Sequence, residues 1–203
     1  EDEFLRRVEL ALMGGATIMQ LREKNRTTRE YMALAEKVHT LAKKYQVPLI
    51  IDDRVDVALA VDAEGVHVGQ SDLPVSLARS LMGEDKIVGA TTKTVAQAQE
   101  AYEQGADYLG VGAIYPTTTK VKTVLTSPDT LRDICQAVPH DNHVLTALNN
   151  FMQRMCLNPR FYTGVALHLF CLASKICNVL TIFDNDLIPT SSECQINCRT
   201  CLL

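Results

Sequence analysis

Residues 14–24 read Gly14-Gly15-Ala16-Thr17-Ile18-Met19-Gln20-Leu21-Arg22-Glu23-Lys24. The paired glycines end a preceding helix, since glycine enters the left-handed backbone region without strain. Ala16 to Gln20 then form a short, mostly apolar run, the pattern of a strand buried in a sheet. Polar character returns at its end with Gln20, Arg22 and Lys24. A buried strand with a polar carboxyl end is the half-unit of a parallel α/β sheet, where chemistry sits beyond the strand ends.

The pattern repeats on both sides. Asp2 to Leu12 reads as a helix. Thr27-Thr28-Arg29-Glu30 is a capping-box sequence opening a helix with the apolar stripe Tyr31, Leu34, Ala35, Val38, Leu41, Ala42 and Tyr45. Pro48 to Ile51 is the next strand and Val55 to Val61 the next helix. Val66 and Val68 mark a third strand, followed by a helix placed between Pro74, read as its first residue, and Gly83. Ile87 to Ala90 is the fourth strand, and Thr94 with Gln97 caps a helix that ends at Gly105. Asp107 to Ala113 is the fifth strand; Ser127-Pro128-Asp129 starts a helix bearing Leu131, Ile134, Cys135 and Val138. Five short apolar strands alternating with amphipathic helices imply right-handed βαβ units and a parallel sheet. Periodicity leaves open whether that sheet closes. An eight-stranded barrel requires one strand before Glu1 and two after His140.

Composition bounds the partners. A formal charge of −4 and a pI near 5.7 argue against nucleic acid or an anionic membrane as partner. An anionic substrate must then be held by a few local cations. Polar residues occur at all five strand ends: Gln20, Arg22 and Lys24; Asp52 and Asp53; Gln70 and Asp72; Thr91 and Thr92; Thr117, Thr119 and Lys120. Asp53 and Asp72, from neighbouring strand ends, suit one Mg²⁺, a hard cation held by one or two carboxylates plus substrate phosphate. Arg22, Lys24 and Lys120 bring positive charge, and Thr91, Thr117 and Thr119 bring hydroxyl donors. Together these are the groups that a diphosphate requires. Two structural readings stand beside the functional one. Asp53-Arg54 and Asp56 form a charge cluster that suits a solvated surface, and His67, between Val66 and Val68, reads as a hydrogen-bonded packing residue.

Four segments resemble the thiamine phosphate synthase family, in order and with natural spacing over residues 5–139: 14–24; Pro48 to Asp56; Gly65-Val66-His67-Val68-Gly69-Gln70-Ser71-Asp72; and Ala106 to Lys120. The resemblance implies a (β/α)8 TIM-barrel type of fold, here incomplete, with the first strand and the last two βα units missing or replaced. It implies a cytoplasmic transferase joining an aminopyrimidine-methyl diphosphate to a thiazole phosphate, with departure of diphosphate first. By resemblance Asp53 and Asp72 match the Mg²⁺ ligands, and Arg22, Lys24, Thr91 and Lys120 the diphosphate contacts and catalytic groups. Gln20 matches a pyrimidine contact, while Thr117 and Thr119 match positions near the thiazole phosphate. Asp52 belongs to the substrate-binding set but stands where the family commonly has Asn, and Thr91 where Ser is common. Two alternatives accompany this reading. One is the related thiazole tautomerase branch, whose histidine is replaced here by Ala113; the other is an inactive barrel fragment that only binds diphosphate.

The chain changes character near His140, dividing residues 1–139 from a tail, 140–203. Six of the seven cysteines and only one of the ten glycines, Gly164, follow that point. The Gly-Gly turn expected for the thiazole phosphate is missing there, and a shifted reading frame accounts for the abrupt switch. Translation of the coding DNA in the other two frames tests it. Cys194, Cys198 and Cys201 have the spacing of an iron–sulfur site, but only Leu202-Leu203 follow them. Phe161 to Phe183 is long enough for a membrane span, yet it carries His168, Lys175 and Asn178, so a buried or sticky segment is expected instead. Tail segments such as Val144 to Leu148 or Gly164 to Ala173 are available to the gap in the sheet, but no alternation or turn chemistry specifies that they fill it, so exposed edges and an aggregation-prone chain are expected.

Overall fold

The computed structural model describes residues 1–112 and 125–138 in full, and the backbone of three later strands at 143–146, 168–172 and 175–183. The elements run α1 (Asp2–Met13), β1 (Ile18–Arg22), α2 (Thr28–Lys44), β2 (Leu49–Asp52), α3 (Val55–Ala60), β3 (Gly65–Val68) and α4 (Val75–Met82). They continue with β4 (Ile87–Thr92), α5 (Val95–Glu103), β5 (Tyr108–Val111), α6 (Pro128–Ala137), β6 (His143–Thr146), β7 (His168–Leu172) and β8 (Lys175–Phe183). The strands form one sheet in the order β6-β5-β4-β3-β2-β1-β8-β7. Its parallel part is curled into a half-barrel.

The helix boundaries follow local chemistry. Thr27 caps α2 reciprocally with Glu30, whose carboxylate accepts from the Thr27 backbone N–H while Thr27 Oγ1 accepts from Glu30 N–H. Thr94 caps α5 and Ser127 caps α6, in each case accepting from the N–H three residues on. Pro74 is the residue before α4 rather than its first turn, and Gly83 ends that helix at φ +81°. Cys135, placed on the apolar stripe of α6 from the sequence, is exposed instead.

Period-2 alternation sorts the strand side chains between two surfaces. Met19, Leu21, Leu49, Ile51, Val66, Val68, Val88, Ala90, Leu109 and Val111 join the helices' Val8, Leu34, Val38, Val57, Ala78, Ala98 and Ile134 in one buried cluster. Ile50 and Tyr108 are buried too but lie outside that cluster, on the other surface. The helices thus cover one side, and the residues between the apolar ones line the concave side: Gln20, Arg22, Asp52, His67, Thr91 and Tyr108.

β1 begins two residues later than the sequence pattern indicates. Its parallel register with β2, Met19↔Leu49 through Leu21↔Ile51, holds Gln20 in the ladder, and Arg22 pairs with Phe183 of β8 rather than lying in a loop. Among the described residues three further strands join the five predicted. β6 extends the sheet beyond β5 in parallel, and β8 pairs in parallel with β1 where a missing first strand would lie. β7 runs antiparallel to β8, a departure from an all-parallel sheet. β6 and β7 overlap the two tail segments 144–148 and 164–173, in which the sequence showed no strand signal. The region considered as a membrane span contributes β7 and β8, and among the described residues no helix is long and apolar enough to cross a membrane.

Candidate active site at the strand ends

The site grows from the carboxyl ends of β1 to β4. Gln20 and Arg22, two residues apart on β1, point to the same side, and Asp52 meets both from the end of β2. The Asp52 carboxylate accepts from Gln20 Nε2, and its Oδ2 lies 2.6 Å from Arg22 Nε. The pair is well enclosed, with side-chain exposures of 14% for Arg22 and 7% for Asp52. At this depth a lone carboxylate would be strongly unfavourable, and the guanidinium compensates it. Tyr31 of α2 reaches in from the helix layer and donates its hydroxyl to Leu21 O at 2.8 Å, with Asp52 O at 3.4 Å. Burial raises the Tyr31 pKa, so the phenol stays a neutral donor.

Asp53 is turned out of the strand. Its φ is +65°, Arg54 N–H donates to Asp52 O at 2.8 Å, and Asp53 N–H donates to His67 O at 2.8 Å. A three-residue turn centred on a non-glycine residue at positive φ stores strain, and such strain gathers at functional sites. The turn brings the Asp53 carboxyl near that of Asp72. Burial first, then the negative charges of Asp52 and Asp72, push the Asp53 pKa up to about 7, while Arg22, 4.0 Å from Asp53 Oδ2, draws it down. Two carboxyl groups this close disfavour each other's ionised form, so the pair loses its last proton late. Asp72 is held in place by Gly69 N–H, which donates to its Oδ2 at 2.8 Å.

Arg54 and Asp56 separate from this group. They pair with each other at the exposed start of α3, where Arg54 also donates to Thr28 Oγ1 at 2.8 Å. The surface-cluster reading therefore fits Arg54 and Asp56 but leaves Asp53 on the site side.

Thr91 joins through its neighbours. Its carbonyl accepts from Gln70 Nε2 at 2.7 Å, and its hydroxyl lies 2.8 Å from His67 Nε2. His67 Nδ1 in turn lies 3.0 Å from Tyr108 OH. His67 is buried, as a packing residue would be, yet it links two strands across the concave side. Tyr108 escaped the sequence reading because an aromatic residue in an apolar strand carries no separate signal. Lys24 is exposed beyond β1, and among the described residues it makes no ion pair. Thr117, Thr119 and Lys120 lie outside the described residues, as do Cys194, Cys198 and Cys201. Gln20, Arg22, Asp52, Asp53 and Asp72 thus form one connected group, and Thr91 borders it.

Comparison with known proteins bears on this arrangement. The family profile described as thiamine monophosphate synthase matches residues 1–147. Thiamine-phosphate synthase 2 of Streptococcus pneumoniae is 57% identical over 137 residues, covering 68% of this chain and 65% of the relative. Thiamine-phosphate synthase of Clostridium tetani is 43% identical over 184 residues, covering 88% of this chain and 87% of the relative. The solved thiamine phosphate pyrophosphorylase from Pyrococcus furiosus superposes with a TM-score of 0.54 at 32% identity, over 72% of this chain and 82% of that one. The chain spans about 65% of the length of the first curated relatives it matches. The profile covers all five predicted strands and every described residue of the site, and the chain therefore belongs to the thiamine monophosphate synthase family.

Proposed function

We propose that the chain is a cytoplasmic, Mg²⁺-dependent thiamine-phosphate synthase of the (β/α)8 barrel type. Its two substrates would be an aminopyrimidine-methyl diphosphate and a thiazole phosphate. The observation that carries this reading is the Asp53–Asp72 carboxyl contact beside Arg22. Asp53 and Asp72 would hold the ion. Two protein carboxylates suffice for Mg²⁺ when substrate phosphate oxygens complete its shell, and no group of three such ligands occurs among the described residues. A bound Mg²⁺ supplies Lewis-acid neutralisation of the diphosphate as it departs.

The protein groups divide the remaining work. Arg22, fixed by Asp52, presents positive charge in a set orientation, which is the preorganisation that electrostatic catalysis demands. Lys24 and Lys120 add charge, and Thr91 adds a hydroxyl donor to the same diphosphate. Gln20, held by Asp52, would orient the pyrimidine, and Thr117 with Thr119 would take the thiazole phosphate. The thiazole nitrogen carries its own lone pair, so its attack on the pyrimidine methyl cation needs no general base. Residues 1–139 would form the catalytic segment and residues 140–203 a compositionally distinct tail.

The test is thiamine phosphate formation by the purified 203-residue chain with Mg²⁺ and both substrates, alongside Asp53→Ala. Turnover abolished in Asp53→Ala is the expected result. Undiminished turnover in that variant, or none in a wild-type chain shown to be folded by near-UV circular dichroism, would overturn the proposal.

A further inference from the structure

Tyr108, His67 and Thr91 form a hydrogen-bonded line across β5, β3 and β4, and its direction is set by its buried end. Among the described residues the Tyr108 hydroxyl meets only His67 Nδ1, at 3.0 Å, and the Thr91 hydroxyl meets only His67 Nε2, at 2.8 Å. Tyr108 is buried in its strand, so its O–H proton has one acceptor available, the Nδ1 lone pair. The opposite direction, with Nδ1–H donating to the phenol oxygen, would leave a buried O–H without a partner. With Nδ1 as acceptor, the neutral imidazole carries its proton on Nε2 and donates it to Thr91 Oγ1. The Thr91 oxygen is then an acceptor on its inner side, and its own proton must turn toward the concave face.

The line is built into the packing. A Cβ on Gly89 would lie 2.1 Å from Tyr108 Cζ, and one on Gly110 would lie 3.0 Å from His67 Cε1. Both glycines are therefore the room in which the two rings sit, with centroids 5.3 Å apart. Burial further raises the Tyr108 pKa, which keeps the phenol a donor.

We infer that Tyr108 is a positioning residue acting through His67 to hold the Thr91 hydroxyl as a donor toward the substrate diphosphate. This rests on the proposed role of Thr91 in binding diphosphate. The relay converts an adaptable hydroxyl, equally able to donate or accept, into a donor aimed at an anion before it arrives.

Two measurements test it, both on the full chain. The first is the tautomer of His67, read from its ring ¹⁵N shifts at a pH where the imidazole is neutral. The proton is expected on Nε2; a proton on Nδ1 would overturn the inference. The second is a double-mutant cycle of Tyr108→Phe and Thr91→Ala, with the dissociation constant of inorganic diphosphate measured by calorimetry in Mg²⁺. Tyr108→Phe keeps the ring over Gly89 and is expected to weaken binding by about threefold to tenfold, up to the worth of one hydrogen bond to a charged group. That effect should vanish in the Thr91→Ala background. An effect of equal size in both backgrounds would mean general packing and defeat the inference, as would no effect in either. If Thr91→Ala alone leaves diphosphate affinity unchanged, the assignment of Thr91 to diphosphate fails, and with it this positioning role. The tautomer would then decide separately whether the relay has the stated direction.

Discussion

Arg22 Nε lies 2.6 Å from Asp52 Oδ2 inside the strand ends, so the arginine that should meet an anionic substrate already has a resident anion. The pair links β1 to β2, and Gln20 is bound to the same carboxylate. Asp52 therefore orients both side chains and, under the proposed function, would weaken their attraction for a diphosphate.

Asp52→Asn separates the two effects. Removing the charge releases part of the Arg22 field, and Mg²⁺-diphosphate affinity should rise roughly threefold to tenfold, on the order of 1 kcal/mol. Folding stability should fall by about 1–2 kcal/mol, since the ion pair is enclosed and Asp53, 4.0 Å away, compensates Arg22 only in part. Calorimetric titration and urea unfolding read the two quantities; weaker diphosphate binding would contradict the assignment.

Asp53 gives the metal-free chain a pH-dependent stability. Its carboxyl titrates near 7 when folded, above its ordinary value near 4, so between these values the folded chain holds a proton that the unfolded chain has lost. The associated stability is complete below about pH 4 and is lost as the pH rises through about 7. Solvent access to the carboxyl limits the effect to an order of 1–2 kcal/mol between pH 5 and 8. Urea unfolding across that range should show the decline in the wild type and a flatter profile in Asp53→Asn. Mg²⁺ affinity should run the other way, strengthening as the pH rises through about 7, because the ion competes with the shared proton.

Gly89→Ala tests the packing of the concave side. The added methyl would meet the Tyr108 ring at 2.1 Å, beyond what side-chain adjustment absorbs. Overpacking of this kind costs about 1–3 kcal/mol, and a lowered melting temperature should accompany loss of the His67–Tyr108 hydrogen bond in the ¹⁵N spectrum. An unchanged melting temperature would mean that the ring has room elsewhere.

Arg79 provides the contrast at the amino end of the sheet. Its guanidinium donates to Gly105 O, Gly83 O and Lys86 O and to Asp107 Oδ2, tying α4 to the loops that precede β4 and β5. Asp107 Oδ2 also accepts from Val88 N–H at 2.7 Å. Arg79→Lys loses the planar fork and should destabilise the chain by about 2–3 kcal/mol, while the dissociation constant of Mg²⁺-diphosphate stays within twofold of wild type. A large change in affinity would show that the two ends of the sheet are coupled.

Alternation of apolar strands and capped helices, the capping box at Thr27 and the cap at Thr94, and the gathering of polar residues at strand ends were all legible in the chain, because each arises from neighbours in sequence. The same local rules named Gln20, Arg22, Asp52, Asp53, Asp72 and Thr91. Tertiary structure decided what those residues do to one another. Parallel register brought Asp52 onto both Gln20 and Arg22, a positive-φ turn swung Asp53 to Asp72, and sheet curvature set His67 between Thr91 and Tyr108. It also placed β8, from the compositionally distinct tail, alongside β1. Contacts of this kind depend on which strands pair and how the sheet bends, which are non-local terms that no window of sequence contains.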